Sequence, residues 1–212
     1  MRAALFATCL ADQLVPQAAE CAALVLRRCG LSVEVPPAQT CCGQVAFNDG
    51  FWSEARPLAR RWLEIFDHAD AVVAPSGSCV AMVREFYPVL LRDEPVWAER
   101  ARAVGARTYE LSEFLVDVLH REDAGARFPH RVAYHPACHG LRSLRLRDQP
   151  LRLLRAVREL DLRPLRGAEE CCGFGGMFAI NFAALSSAML ETKLRAIEES
   201  GAEVVTATDV SC

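Results

Sequence analysis

An internal duplication marked by cysteines constrains this chain more than any other feature. A strand-like run, Arg2-Ala-Ala-Leu-Phe-Ala-Thr, ends at Cys9, and Arg131-Val-Ala-Tyr-His-Pro-Ala ends in the same way at Cys138. A Cys-Cys-Gly triplet follows each, Cys41-Cys42-Gly43 after 32 residues and Cys171-Cys172-Gly173 after 33. Each triplet leads to a short apolar run, Ala71-Val-Val-Ala or Glu203-Val-Val-Thr. These close on Ser78-Cys79 and Ser211-Cys212, 37 and 40 residues beyond the triplets' second cysteines. Landmarks recurring in order at near-equal intervals are the signature of a repeat. The chain is therefore expected to fold as two related units, each with its own cysteine set.

Patterning within the repeats alternates short strands with amphipathic helices. In the first, apolar positions at Leu14, Ala18, Cys21, Ala22, Val25 and Cys29 predict a helix ended by Gly30, with Cys21 and Cys29 as core residues and not ligands. A strand near Leu31 to Val35 follows, then a helix carrying Phe51, Ala55, Leu58, Ala59, Trp62 and Phe66 on one face. Such alternation implies an α/β fold in two pseudo-symmetric halves. Each is a small, mostly parallel sheet flanked by helices, with the cysteine sets on loops at strand ends. Between the halves, a strand near Thr108 and an amphipathic helix from Glu110 to Leu119 lead into Arg121-Glu-Asp-Ala-Gly-Ala-Arg-Phe-Pro. Turn formers and charges there set the expected boundary, with residues 1–125 and 126–212 as the two units.

Ten cysteines in 212 residues define the chemistry. A chain that is 52% hydrophobic can bury a core without disulfide staples. Asp12 interrupts the opening run where an export signal would still be apolar, and no stretch predicts a membrane span, so a cytoplasmic location is expected. A net charge of −3 gives no electrostatic footprint for nucleic acid. Loops at the strand ends of an open parallel sheet share a crevice. Cys9, Cys41, Cys42 and Cys79 can converge there, as can Cys138, Cys171, Cys172 and Cys212. Four thiolates from three loops match the protein complement of a four-iron cluster, and glycine after each pair allows the tight bend that turns both sulfurs inward. Structural zinc is the competing reading, although zinc sites usually use spaced cysteine pairs.

Two histidines flank Cys138. His135 and His139 can each donate to cluster sulfur, carry a proton, replace a thiolate ligand or simply be satisfied at a strand end. Either is also a candidate base for a hydroxyl proton, with Arg142 as a partner for a carboxylate. The arginines at 142, 145, 147, 152, 155 and 158 read as a solvated helix face, or as a docking surface for an acidic redox partner.

Several phrases together resemble the CCG-domain, or cysteine-rich domain, iron-sulfur oxidoreductases over essentially the whole chain. They are Thr8-Cys9-Leu10, Gln39-Thr-Cys-Cys-Gly-Gln44, Pro75-Ser-Gly-Ser-Cys79, Tyr109-Glu-Leu-Ser-Glu-Phe114, His135-Pro-Ala-Cys-His139 and Glu170-Cys-Cys-Gly-Phe-Gly-Gly176. The resemblance implies an oxidoreductase subunit of a multi-protein system oxidising L-lactate. It would work beside a ferredoxin-type iron-sulfur subunit and a third, smaller subunit, with one cluster, expected to be 4Fe-4S, per cysteine set. A heterodisulfide reductase branch with cluster-based disulfide chemistry ends each set in Cys-x-x-Cys. Here Ser76 and Asp209 stand at the first position of that element, which favours ordinary four-thiolate clusters. Relatives of this kind carry a further helical segment after the position of Cys212. The resemblance thus implies a second half shortened at its C-terminus and a second cluster less securely held.

Overall fold

The computed structural model describes residues 2–212. Seven strands form two separate parallel sheets: β1 (Arg2–Leu5), β2 (Ser32–Glu34), β3 (Ala71–Ala74) and β4 (Thr108–Glu110) in the first, and β5 (Arg131–His135), β6 (Asp161–Arg163) and β7 (Val204–Ala207) in the second. The first is ordered β2-β1-β3-β4 and the second β6-β5-β7. Each repeat's opening strand is thus central, flanked by the strands before and after its helical crossover. Matching registers, Ala3 opposite Ala71 and Val132 opposite Val204, show the duplication in the backbone. β4 has no counterpart.

Burial explains the strand composition. β3 is apolar throughout and buried at every residue, as a parallel strand covered on both faces requires. On one face of the first sheet, helix Trp52–Phe66 contributes Ala55, Ala59, Trp62, Leu63 and Phe66, spaced so that one stripe meets the core. The opposite face is covered by helix Pro16–Arg28 together with Phe114 and Leu115.

The buried stripe of helix Pro16–Arg28 corrects the sequence-based expectation. Ala19, Ala22, Ala23 and Leu26 face the sheet, whereas Leu14 and Cys21 are exposed and Cys29 is half-buried. The chain breaks at Val15, and Pro16 starts a new helix with its ring at a position where no N–H is needed. That break resets the helical phase, so Leu14 belongs to a separate short helix, Cys9–Leu14. The expected helix after Glu110 does form, opening with a capping box between Glu110 and Glu113 and widening into a π-helical turn over Phe114–Val118. The six arginines do not share a helix face. Helix Gln149–Ala156 carries Arg152 and Arg155, Arg142 lies in a π-helical turn over His139–Ser143, and Arg145 adopts a left-handed backbone conformation.

The halves meet at the C-terminal ends of their sheets. Gly77 donates its backbone N–H to the Thr208 carbonyl at 2.9 Å, and Ser76 and Asp209 form an antiparallel bridge. A side chain at Gly77 would meet the Gly140 backbone at 3.2 Å, so the approach of the two units depends on this glycine. No helix among the described residues is long and apolar enough to cross a membrane.

Candidate functional site

Every landmark cysteine follows the C-terminal end of a strand or sits in the loop after it. Cys9 opens a short helix after β1, Cys79 lies in helix Gly77–Ala81 after β3, and Cys138 and Cys212 hold the matching places after β5 and β7. The pairs Cys41-Cys42 and Cys171-Cys172 lie beyond β2 and β6. Because the sheets meet at these ends, all eight cysteines line one cavity of about 150 Å³, together with His139, Ser76, Asp209 and the Phe174 to Met177 loop. Cys21 and Cys29 do not line it.

Each pair is bent by a glycine. Gly43 and Gly173 have φ of 81° and 92°, and their N–H groups donate to Cys41 and Cys171 sulfur at 3.3 and 3.4 Å. A side chain at Gly173 would fall 2.7 Å from the Ser186 carbonyl oxygen, so the second turn admits only glycine. In the first set, buried Tyr87 donates its hydroxyl hydrogen to the Cys42 carbonyl at 2.9 Å, fixing the turn from the core side. In the second, the Ser186 hydroxyl donates to the Gly173 carbonyl at 2.9 Å.

Sulfur atoms approach in pairs: Cys9 and Cys41 at 3.6 Å, Cys42 and Cys79 at 3.5 Å, Cys172 and Cys212 at 3.4 Å. Hydrogen bonds from Cys42 and Cys9 hold the Cys41 thiol far below the ordinary range. The same contacts keep protons on Cys9 and Cys42. In the second set the hydrogen bond from Cys212 brings Cys172 down to about 4, and Cys212 is correspondingly raised. Each set therefore favours one thiolate, the form that binds metal, while its hydrogen-bonded neighbours keep their protons. Burial lowers the His139 pKa below that of free imidazole, against an opposing pull from Asp209.

Among the described residues, the one trio of donor atoms lying mutually within 4.8 Å is His135, Cys172 and Cys212. A tetrahedral zinc bound by four thiolates at its usual bond length would need sulfur separations of about 3.8 Å on every edge. No three thiols of the first set come mutually within even the looser limit, so as placed they do not form a single-ion site.

His135 is buried, and its Nδ1 lies 3.1 Å from the Ala168 carbonyl oxygen. His139 is half-buried, with its ring edge-on to Phe86. Arg142 is exposed, donates to the Glu169 carbonyl at 3.3 Å and lies outside the cavity lining. Two residues were not singled out as functional in the sequence alone. Lys193 is 3% exposed and donates to the Gly167 and Ala168 carbonyls at 2.6 and 3.3 Å. It is the one buried side chain of helix Ala183–Glu199, and no apolar stripe in the sequence marks that side. Asp209, noted only for not being cysteine, joins the sets. One carboxylate oxygen accepts from Ser211 in its own turn, and the other accepts from Ser76 Oγ at 3.2 Å and Ser78 N–H at 2.6 Å in the opposite turn.

The cysteine-rich domain family, CCG, matches twice, over residues 3–84 and 132–212. Lactate utilization protein A of Bacillus pumilus (strain SAFR-032) is 44% identical over 212 residues, covering 100% of this chain and 89% of that protein. The same-named protein of Halalkalibacterium halodurans is also 44% identical, with 100% and 86% covered. Lactate utilization protein A 2 of Bacillus cereus (strain 03BB102) is 36% identical, with 100% and 88% covered. With two domain matches falling in the two sheet-bearing halves, and relatives matched over the whole of this chain, the chain belongs to the lactate utilization protein A family of CCG cysteine-rich domain proteins.

Proposed function

We propose that this chain is an iron-sulfur electron-transfer subunit of a bacterial system that oxidises L-lactate to pyruvate. Cys9, Cys41, Cys42 and Cys79 hold one cluster, and Cys138, Cys171, Cys172 and Cys212 hold the other. The convergence of both thiol sets on one cavity carries the reading. Clusters of this kind supply one-electron transfer at potentials set by hydrogen bonding, charge and exposure. The Gly43 and Gly173 N–H groups already point at cysteine sulfur, where they stabilise negative charge. Asp209, bonded to both turns, holds the two ligand sets in fixed relation, which short-range electron passage needs.

The lactate assignment extends from the relatives' name, and the working assembly is a cytoplasmic complex with a ferredoxin-type iron-sulfur subunit and a third, small subunit. The halves divide near residue 125. A relay of this kind need not bind lactate on this chain. Should lactate bind here, His139 is the cavity-lining base candidate, because its lowered pKa keeps the ring neutral.

Iron and acid-labile sulfide analysis after anaerobic reconstitution tests the reading. About eight irons per chain are expected, and Cys42→Ser or Cys172→Ser should each remove about four. Stoichiometric zinc without sulfide would overturn it in favour of a structural metal protein.

A further inference from the structure

The two cysteine sets differ in one buried atom. His135 Nε2 has no hydrogen-bond partner although it is shielded from solvent. Leaving such a nitrogen unpaired is costly, and buried polar atoms normally find a partner. This one faces Cys172 and Cys212, the three donor atoms lying within 4.8 Å of one another. The opposite ring nitrogen faces the Ala168 carbonyl, which can only accept. Nδ1 therefore carries the hydrogen, and in the neutral ring the Nε2 lone pair points at the thiols. That carbonyl is itself held by the buried ammonium of Lys193 at 3.3 Å. A histidine that donates one ring N–H to a fixed backbone carbonyl and leaves the other nitrogen bare has the supporting arrangement of a metal ligand.

We propose that His135 Nε2 binds one iron of the second cluster in place of one thiolate of that set, so that the second centre is held by nitrogen as well as sulfur while the first is held by sulfur alone. This rests on the cluster reading above and amends it at one of the second set's four ligands. In the first half the corresponding position, three residues before the lone cysteine, is Phe6, fully buried against Trp62 and Phe66. Phe6 offers no donor. Replacing thiolate donation by imidazole removes negative charge from a cluster and raises its potential. The second centre is therefore the one reduced more easily, and electrons entering at the first move to the second.

The test uses the full chain, reconstituted without oxygen and reduced with dithionite, with 15N introduced only at histidine. Iron and sulfide are measured first. With about eight of each present, pulsed electron paramagnetic resonance should show one strongly coupled histidine nitrogen. The coupling should vanish in His135→Phe, survive in His139→Phe, and be accompanied in His135→Phe by a lower potential of the more positive centre. Fully loaded wild-type protein without a strongly coupled histidine nitrogen overturns the assignment, as does coupling that persists in His135→Phe. The wild-type spectrum decides the matter even if His135→Phe does not fold. Failure to take up iron and sulfide at all would sink the cluster reading itself, and the metal analysis separates that result from the others.

Discussion

Beneath their matching CCG turns, the two halves are built from different materials. In the first, Gly43 packs on Leu58 and the Ala55 carbonyl; in the second, Gly173 packs on Met189 and the Ser186 carbonyl. One helical turn further along, the same register places Trp62 opposite Lys193, and the opening strands place Phe6 opposite His135. Phe6 and Trp62 meet edge to face with ring centroids 5.5 Å apart. Lys193 and His135 instead share the Ala168 carbonyl as a common hydrogen-bond partner. An aromatic contact that seals a core has its counterpart in two basic side chains that bring positive charge and a nitrogen lone pair to a thiol site.

Burial follows the same division. Nearly all the large buried side chains belong to the first half, and Leu144 and Leu146 are the second half's members of the main core cluster. Helix Ala183–Glu199 leaves Leu190 and Leu194 45% and 47% exposed, and the edge strand β7 leaves Val204 and Val205 open. One backbone plan has thus produced a half that carries most of the apolar core and a half whose smaller interior also holds His135, Lys193, Thr208 and Asp209. Duplication conserves the hydrogen-bonded frame and leaves the side chains free to diverge.

The widest gap between the halves should appear on cutting the paired positions. Trp62→Ala removes a fully buried indole and should cost about 3–5 kcal/mol in denaturant unfolding. Lys193→Met should cost less than about 2 kcal/mol, because it trades two hydrogen bonds for apolar packing. Equal losses would show that Lys193 is as much a core residue as Trp62.

The next effect is a pH dependence confined to the first half. Burial raises the Glu110 carboxyl from 4.5 to about 7, outweighing the hydrogen bonds it accepts from Ser112 and Glu113. The folded state then holds a proton that the unfolded state has released. This contribution is complete below pH 4.5 and is lost as pH rises through about 7, a change of roughly 3 kcal/mol for a shift of this size. Glu110→Gln should flatten the fall, read as unfolding free energy across that range; an unchanged slope would place its origin elsewhere.

Between the halves, Gly77→Ala should cost about 1–3 kcal/mol, since the added methyl would lie 3.2 Å from the Gly140 backbone, which must shift to admit it. Faster amide exchange at Gly77 and around Asp209, with β1 and β3 still protected, would locate the damage at the junction. The smallest effect is expected on the open face, where Leu194→Ala should change stability by less than about 0.5 kcal/mol. A larger loss would mean that this face is packed in solution.

Much of this architecture was legible in the residues. The repeat, the strands at Ala71–Ala74 and Arg131–His135, and the helix ending at Phe66 all follow from local spacing, because period and composition report which face of an element is buried. The buried side of helix Pro16–Arg28 was misread. Its phase depends on the break at Val15, and small alanines pack against the sheet as readily as larger residues would. The arginine run was misread for a related reason: charge composition does not reveal where a helix stops.

By itself, the sequence determined two units, eight cysteines in two equivalent sets, and glycines where each pair must bend, since all are properties of short segments and their repetition. Tertiary structure alone decided that both sets open onto one cavity and that Asp209 bonds across to Ser76 and Ser78. It also decided that Lys193 turns inward and that the free nitrogen of His135 faces Cys172 and Cys212. Those outcomes arise from contacts between residues far apart in the chain, where the packing of one sheet end against another fixes which atoms find partners and which are left without one.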